Sequence, residues 1–372
     1  MSLAVRIQDF VNPIDPFVIS NDEGYKNGQI GKFITDNNDI DAADIVIVGC
    51  AEWRGGFRTA RYNPAENVRE ELYKLFHWHE NILIADAGNV LIGNELTDTY
   101  AALKMVVAEI TREGKRAVVI GGSHDLTTPL YHVFAERNQI IEISLVDAFF
   151  DIDRENYYAD KKFLLDMLLG EPNYVRHFNI IGFQSYFTYP KMLETIDKLR
   201  FDCYRVGFAQ EKMEEMEPSF RSSQLVSIDM CAIAHAFGAA NALSPNGFSG
   251  QDMCKLSQYA GMSPETEIFT ILGYGGKDTN QLTAMQIAQM IWYYIDGFQK
   301  QAHEAPLTQT EAYIEYHTIC AEVETVFLQS RNTGRWWMKM PDGKFVPCTY
   351  LDYYQASNND LPDRWLRIQE RL

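Results

Sequence analysis

The chain lacks paired cysteines, long apolar runs and clusters of basic charge, and each shortage excludes a class of protein. Its six cysteines (Cys50, Cys203, Cys231, Cys254, Cys320, Cys348) are scattered with no CxxC pair. That excludes a disulfide framework and a zinc finger, and suits reduced cytosolic thiols. No apolar run approaches the ~20 residues a membrane helix needs. The opening MSLAVRIQDFVNPIDPF has none of the charged-then-apolar layout of a secretory signal. With 33 Lys and Arg against 51 Asp and Glu, the formal charge is −18. Nucleic acid is therefore not expected as a partner, because a phosphate backbone is held by clustered Lys and Arg. A cytoplasmic protein acting on a small molecule, without membrane or nucleic-acid contacts, is the expectation.

What is present is a recurring strand that stops abruptly at polar residues. AVVIGGSHDLT delivers His124 and Asp125, EISLVDAFFDID delivers Asp147, Phe149 and Asp151, and LVSIDMCAI delivers Asp229 and Cys231. Each apolar, β-branched run reads as a buried strand opening into a loop. Alternate positions such as 147, 149 and 151 project to one side wherever the chain stays extended.

About eight strand–helix units follow one another from ADIVIVGC to TAMQIAQMIWYYIDGFQKQ. That is the pattern of an α/β protein with a parallel sheet covered on both faces, whose ligands bind outside the carboxyl ends of the strands. A closed eight-stranded barrel satisfies the same count. Residues 1–43, rich in turn formers, read as an irregular extension, and residues 44–304 as the α/β domain. Residues 305–372 read as an aromatic-rich extension, a cap or a subunit contact. Within the last, RWWMKMPDGKFVPCTY reads as a hairpin turning at PDG and DRWLRIQERL as a closing helix, whereas EAYIEYHTICAEVETVFLQS fits helix or strand.

One imidazole and three carboxylates at strand ends that share an edge are the raw material of a metal site. A divalent ion at such a site supplies a strong nucleophile at neutral pH by acidifying bound water. Carboxylate-rich sets with one or two imidazoles suit Mn²⁺ and related hard cations. The acids also have a plainer reading as helix caps or loop-pinning groups, and His124 as a hydrogen-bonded core histidine. If no metal binds, His124 is the natural cation among the three carboxylates. Gly121, Gly122, Gly275 and Gly276 lack phosphate-loop spacing. Arg54 and Arg58, in the first loop, are either solvated charges or contacts for an acidic substrate.

GGSHDLT, VDAFFD and SIDMCAI resemble the three metal-binding signatures of the ureohydrolase family (arginases, agmatinases and formimidoylglutamases), which read roughly GG-D-H-S, D-A-H-x-D and S-x-D-x-D. ADIVIVGCAEWRGG, IIGFQSY, SPNGFSGQDMCKLSQYAG and KDTNQLTAMQIAQMI are similar to further family segments in the right order, from about Asp44 to Gln299. The IIGFQSY stretch resembles the formimidoylglutamase branch. The resemblance implies a three-layer α/β/α sandwich around a mostly parallel eight-stranded sheet, assembled as a homo-oligomer. It implies metal ligands at His124, Asp147, Asp151 and Asp229, with Asp151 and His124 in the catalytic part.

The departures bear on function. A second metal needs a histidine where this chain has Phe149 and an aspartate where it has Cys231. A thiolate would favour zinc over manganese. The acid expected before the closing helix is missing: Leu272 or a neighbour takes its place, and Asp278 belongs to the later part of the motif. The loop after Asp151 lacks the family's small hydroxyl residues and histidine. Two expectations result. One is a divergent hydrolase of a linear amidine or guanidine, formimidoylglutamate-like, with one divalent ion (Mn or Zn). The other is a catalytically inactive scaffold, with or without an ion, that binds a metabolite or partner.

Overall fold

A computed structural model describes residues 6–14, 24–56, 63–238, 244–275, 278, 280–320 and 323–370. Thirteen strands lie among them: β1 (Val11–Asn12), β2 (Ile45–Cys50), β3 (Ile84–Val90), β4 (Arg116–Gly121), β5 (Ile141–Val146), β6 (Val175–Phe183), β7 (Asp202–Arg205), β8 (Leu225–Asp229), β9 (Ile268–Leu272), β10 (Tyr313–Cys320), β11 (Val323–Ser330), β12 (Trp336–Lys339) and β13 (Phe345–Cys348).

The first nine form one open sheet in the order β1-β3-β2-β4-β9-β8-β5-β6-β7. All pairings among β2 to β9 are parallel, and only the two-residue β1 runs antiparallel, against β3. The eight expected parallel strands are thus present, and the open edges at β1 and β7 rule out a closed barrel. β2 shows why the strands read as unbroken apolar runs: all six of its residues are buried. Ile45 and Ile47 join one core, with the helices Gly250–Gly261 and Leu282–Gln301. Val46 and Val48 join the other, with the helices Leu96–Arg112 and Thr127–Glu136. Period-2 alternation divides one strand between two helical layers, and each fully buried Ile or Val side chain contributes about 1.5–3 kcal/mol.

After β4 the chain does not continue beside it. β5 pairs with β8 and β6, and β9 fills the gap between β4 and β8. This change of direction leaves a crevice at the carboxyl ends of β4, β8 and β5, the place where open α/β sheets hold ligands.

Several local expectations are corrected. The helix Ile30–Asn37 lies in the segment read as irregular, where Ile30 and Ile34, four residues apart, bury one face. The turn formers on either side of this short helix masked it. β7 ends at Arg205, and a helix, Val206–Glu211, follows it directly. The ambiguous EAYIEYHTICAEVETVFLQS forms the antiparallel pair β10–β11, and β12–β13 is the hairpin expected at PDG. Together they make a separate four-stranded sheet, β10-β11-β12-β13. Buried Arg221 ties it to the main sheet, donating to the carbonyls of Trp336 (3.0 Å) and Cys348 (3.3 Å) with its guanidinium 4.5 Å from the Trp337 ring. Arg221 precedes β8, so this junction lies at the edge opposite the crevice.

Candidate metal centre

Backbone geometry at three strand ends brings the predicted residues together. After β4, Gly122 passes so close to Glu52 that a Cβ there would lie 1.7 Å from the Glu52 carbonyl oxygen. The chain then turns through His124–Leu126 into the helix Thr127–Glu136. Asp147 directly follows β5, and Asp229 is the last residue of β8. Gly273, at φ +80° just past β9, leaves room for Asp229, whose Oδ1 would lie 2.2 Å from a Cβ at that position. Asp151 has φ +35°, a left-handed backbone that non-glycine residues adopt only where the surroundings enforce it.

The Nδ1 of His124 lies 3.0 Å from Asp147 Oδ2, 3.1 Å from Asp151 Oδ2 and 3.5 Å from Asp229 Oδ2. Ligand atoms of His124, Asp147 and Asp229 all fall within 4.8 Å of one another. Asp151 meets the histidine but is not one of that converged trio, and it spends its second oxygen on Lys161, 3.3 Å away. Asp147 and Asp229 divide their oxygens similarly. Asp147 Oδ1 accepts from the Phe149 amide (2.9 Å) and the Cys231 thiol (2.8 Å), and Asp229 Oδ1 accepts from the Cys231 amide (2.8 Å). The loop-pinning reading therefore holds for one oxygen of each acid, while the other faces the common centre.

On the far side of the ring, His124 Nε2 is 3.2 Å from Ser227 Oγ, which is 2.8 Å from Thr127 Oγ1. Donation from Nε2–H to Ser227 leaves Nδ1 as the atom offered to the acids, the second-sphere arrangement that orients metal-binding histidines. Phe163 packs edge-on to the ring, centroids 4.7 Å apart.

All four residues are buried. Burial alone would lower the His124 pKa, but hydrogen bonds to Asp147 and Asp151 and the surrounding charge hold it well above its ordinary value. Burial raises Asp151, with the Asp147 charge adding to it and Lys161 and His124 opposing. Burial, then the Asp147 and Asp229 charges, push the Cys231 thiol far up, so it acts as a donor.

This donor set suits one divalent ion: an imidazole nitrogen with its tautomer set, and carboxylate oxygens already converged on it. A second ion does not fit. Phe149 has no lone pair and stacks on Phe187, centroids 4.9 Å apart, while the Cys231 thiol is engaged with Asp147.

Other expected residues are placed elsewhere. Arg54 keeps an exposed side chain, as a solvated loop charge would, but its guanidinium is engaged: it pairs with buried Glu52 at 2.5 Å and donates to the carbonyls of Gly93, Asn94 and Glu95. Arg58 and Gly276 lie outside the described residues. Leu272 is in the apolar core. Asp278 accepts from Tyr274 and from the Thr283 and Ala284 amides, and so caps the closing helix. Ser227, Thr127 and Lys161 were not anticipated. Ser227 was readable, being two residues before Asp229 on the same strand; Lys161 depends on how the loop after β5 closes.

An open, mostly parallel α/β/α sandwich with an imidazole and carboxylates converging at its carboxyl edge defines the architectural class. Within that class the chain belongs to the arginase family, whose model matches residues 43–258. The formiminoglutamase of Trypanosoma cruzi, solved with Mn²⁺, superposes with a TM-score of 0.65 at 16% identity, over 73% of this chain and 99% of that one. The agmatine ureohydrolase of Thermoplasma volcanium gives 0.60 at 20% identity, over 75% and 96%. The formimidoylglutamase of Bacillus subtilis gives 0.61 at 14% identity, over 70% and 88%. These likenesses are of fold. No curated protein sequence matches significantly.

Proposed function

We propose that the protein is a hydrolase of a linear amidine or guanidine C–N bond, closest in substrate to formimidoylglutamate, that works with a single divalent ion. The observation that carries this reading is the His124 Nδ1 ringed by three carboxylate oxygens at 3.0–3.5 Å. His124, Asp147 and Asp229 would hold the ion, with Asp151, in contact with His124, as the fourth residue of the set. A bound Mn²⁺ or Zn²⁺ would supply the acidity that makes water a nucleophile at neutral pH. Ser227 keeps the His124 ring in register. Asp151 sits beside the reacting space, where it can take a proton from the attacking group and pass it to the departing nitrogen. Family membership and the names of the solved relatives support the substrate class.

The test is incubation of the full chain with formimidoylglutamate, arginine, agmatine and guanidinobutyrate under Mn²⁺, Zn²⁺ or Co²⁺. Formamide released from formimidoylglutamate is the expected product. Absence of product from all four substrates rejects them.

A second reading, an inactive scaffold that binds a metabolite or partner, draws on Phe149 and on Cys231 engaged with Asp147. Stoichiometric metal together with turnover excludes it. We further propose a cytoplasmic homo-oligomer in which residues 305–372 provide a cap or subunit contact, to be checked by light scattering. Among the described residues no helix is long and apolar enough to cross a membrane.

A further inference from the structure

The loop after β5 carries a cation into the acidic cluster. The Lys161 ammonium lies 3.3 Å from Asp151 Oδ1, the oxygen that turns away from His124. It also stands 4.9 Å from the centroid of the Phe149 ring. A phenyl face attracts a cation through its quadrupole, so the residue that cannot ligate a metal instead seats an ammonium. Asp147, Asp229 and Cys231 are within electrostatic reach of the same Nζ.

The placement is held by backbone. Lys161 donates its amide to the Tyr158 carbonyl (3.2 Å) and accepts from the Asp153 amide (2.9 Å), while the adjacent Asp160 amide donates to the Gly55 carbonyl (3.1 Å). The loop is thus closed on itself and pinned to the first loop, which limits how far Lys161 can swing away. The acid it meets is buried, whereas its own side chain is 31% exposed, so it stands at the mouth of the cluster.

Charge bookkeeping agrees with the geometry. The three carboxylates around His124 are balanced by one ammonium and one divalent ion when His124 is neutral, and the partly buried Asp160 carboxylate, within electrostatic reach of Lys161, Asp151 and Asp229, adds one negative charge. Two divalent ions beside Lys161 would leave the site with a net positive charge of one even with Asp160 counted, which burial opposes.

We propose that Lys161 is a tethered cation taking the place of a second metal ion, so that the pocket accepts one divalent ion per chain and accepts it against the repulsion of the ammonium. This rests on the reading that the cluster holds an ion, and it adds a reason for the number. Lys161 acts here as a positioning and charge-balancing residue, through Asp151 and Phe149.

The test is calorimetric titration of metal-stripped full chain with MnCl₂ near neutral pH, with elemental analysis for stoichiometry, on wild type, Lys161→Met, Lys161→Gln and Lys161→Arg. Near-UV circular dichroism checks that each is folded, and the two neutral variants guard against one failing. Wild type and Lys161→Arg are expected to take up one Mn²⁺ per chain. The neutral variants are expected to bind the ion about tenfold or more tighter, since a like charge beside the site has been removed. Equal affinity in wild type and the neutral variants, or two ions in wild type, overturns the role of Lys161 and leaves the metal reading standing. No ion in any of the four proteins overturns both.

Discussion

The thiol of Cys231 donates to Oδ1 of Asp147 across 2.8 Å. Two strand ends, those of β8 and β5, are thereby tied at the position where a second cation would need a carboxylate. On the other side of the same region, Lys161 lies over the ring of Phe149. The region is filled by neutral and cationic groups that satisfy one another, so changing the ligands alone does not restore it. In Phe149→His/Cys231→Asp we expect still at most one Mn²⁺ per chain, because Lys161 remains. Adding Lys161→Met should admit a second. Metal content per chain by elemental analysis checks both, and two ions in the double variant would show that the lysine is no obstacle.

His124→Ala removes the hub that three buried carboxylates share. Breaking a buried ion pair leaves uncompensated charge and costs about 3–5 kcal/mol, the lower end applying here because the acids can protonate. Urea unfolding of the metal-free proteins should show a midpoint well below wild type, and Mn²⁺ uptake should vanish. Unchanged Mn²⁺ affinity would remove His124 from the ligand set.

The pH dependence has opposite signs for ion affinity and for metal-free stability. The folded protein holds the His124 pKa above its ordinary value. An ion at Nδ1 displaces that proton, so Mn²⁺ affinity should rise with pH through neutrality, by up to about tenfold per unit until the raised pKa is passed. In the metal-free protein the same shift means that the stability from protonated His124 is fully present below the unfolded value of ~6.5 and is lost as pH rises through the folded pKa. Asp151, also raised, works in the same direction. Mn²⁺ titrations and urea midpoints across a pH series measure the two slopes, and a flat Mn²⁺ profile through neutrality would contradict the first.

Arg221 holds the four-stranded sheet to the main one from a buried position, with Glu217 as its ion-pair partner at 2.5 Å. Truncation in Arg221→Ala leaves Glu217 with only Arg335, 3.5 Å away, and frees two carbonyls, at a cost of about 1–3 kcal/mol. Hydrogen exchange should accelerate in β12 and β13 first, while the cluster at the opposite edge keeps its Mn²⁺ affinity. Uniform loss of protection over both sheets would mean that they unfold as one unit.

What the sequence determined by itself was periodic and local. Runs such as IVIVGC and LVSID could be read as buried strands because both faces are apolar, and their polar endings had to share an edge once the strands were parallel. His124, Asp147, Asp151 and Asp229 followed from that reading, as did Phe149 and Cys231 as breaks in a resemblance. Tertiary structure decided what depends on contacts between distant segments. It showed that Asp147 and Asp229 each divide their oxygens between loop and centre, that Arg54 is consumed by Glu52 and three carbonyls, and that Asp278 caps a helix. Above all it placed Lys161, ten residues past Asp151 at the end of the single 3-10 turn Ala159–Lys161, against Asp151 and Phe149. No sequence period predicts a loop's return path, because that path is set by backbone hydrogen bonds to Gly55 and within the loop, which exist only in the folded chain.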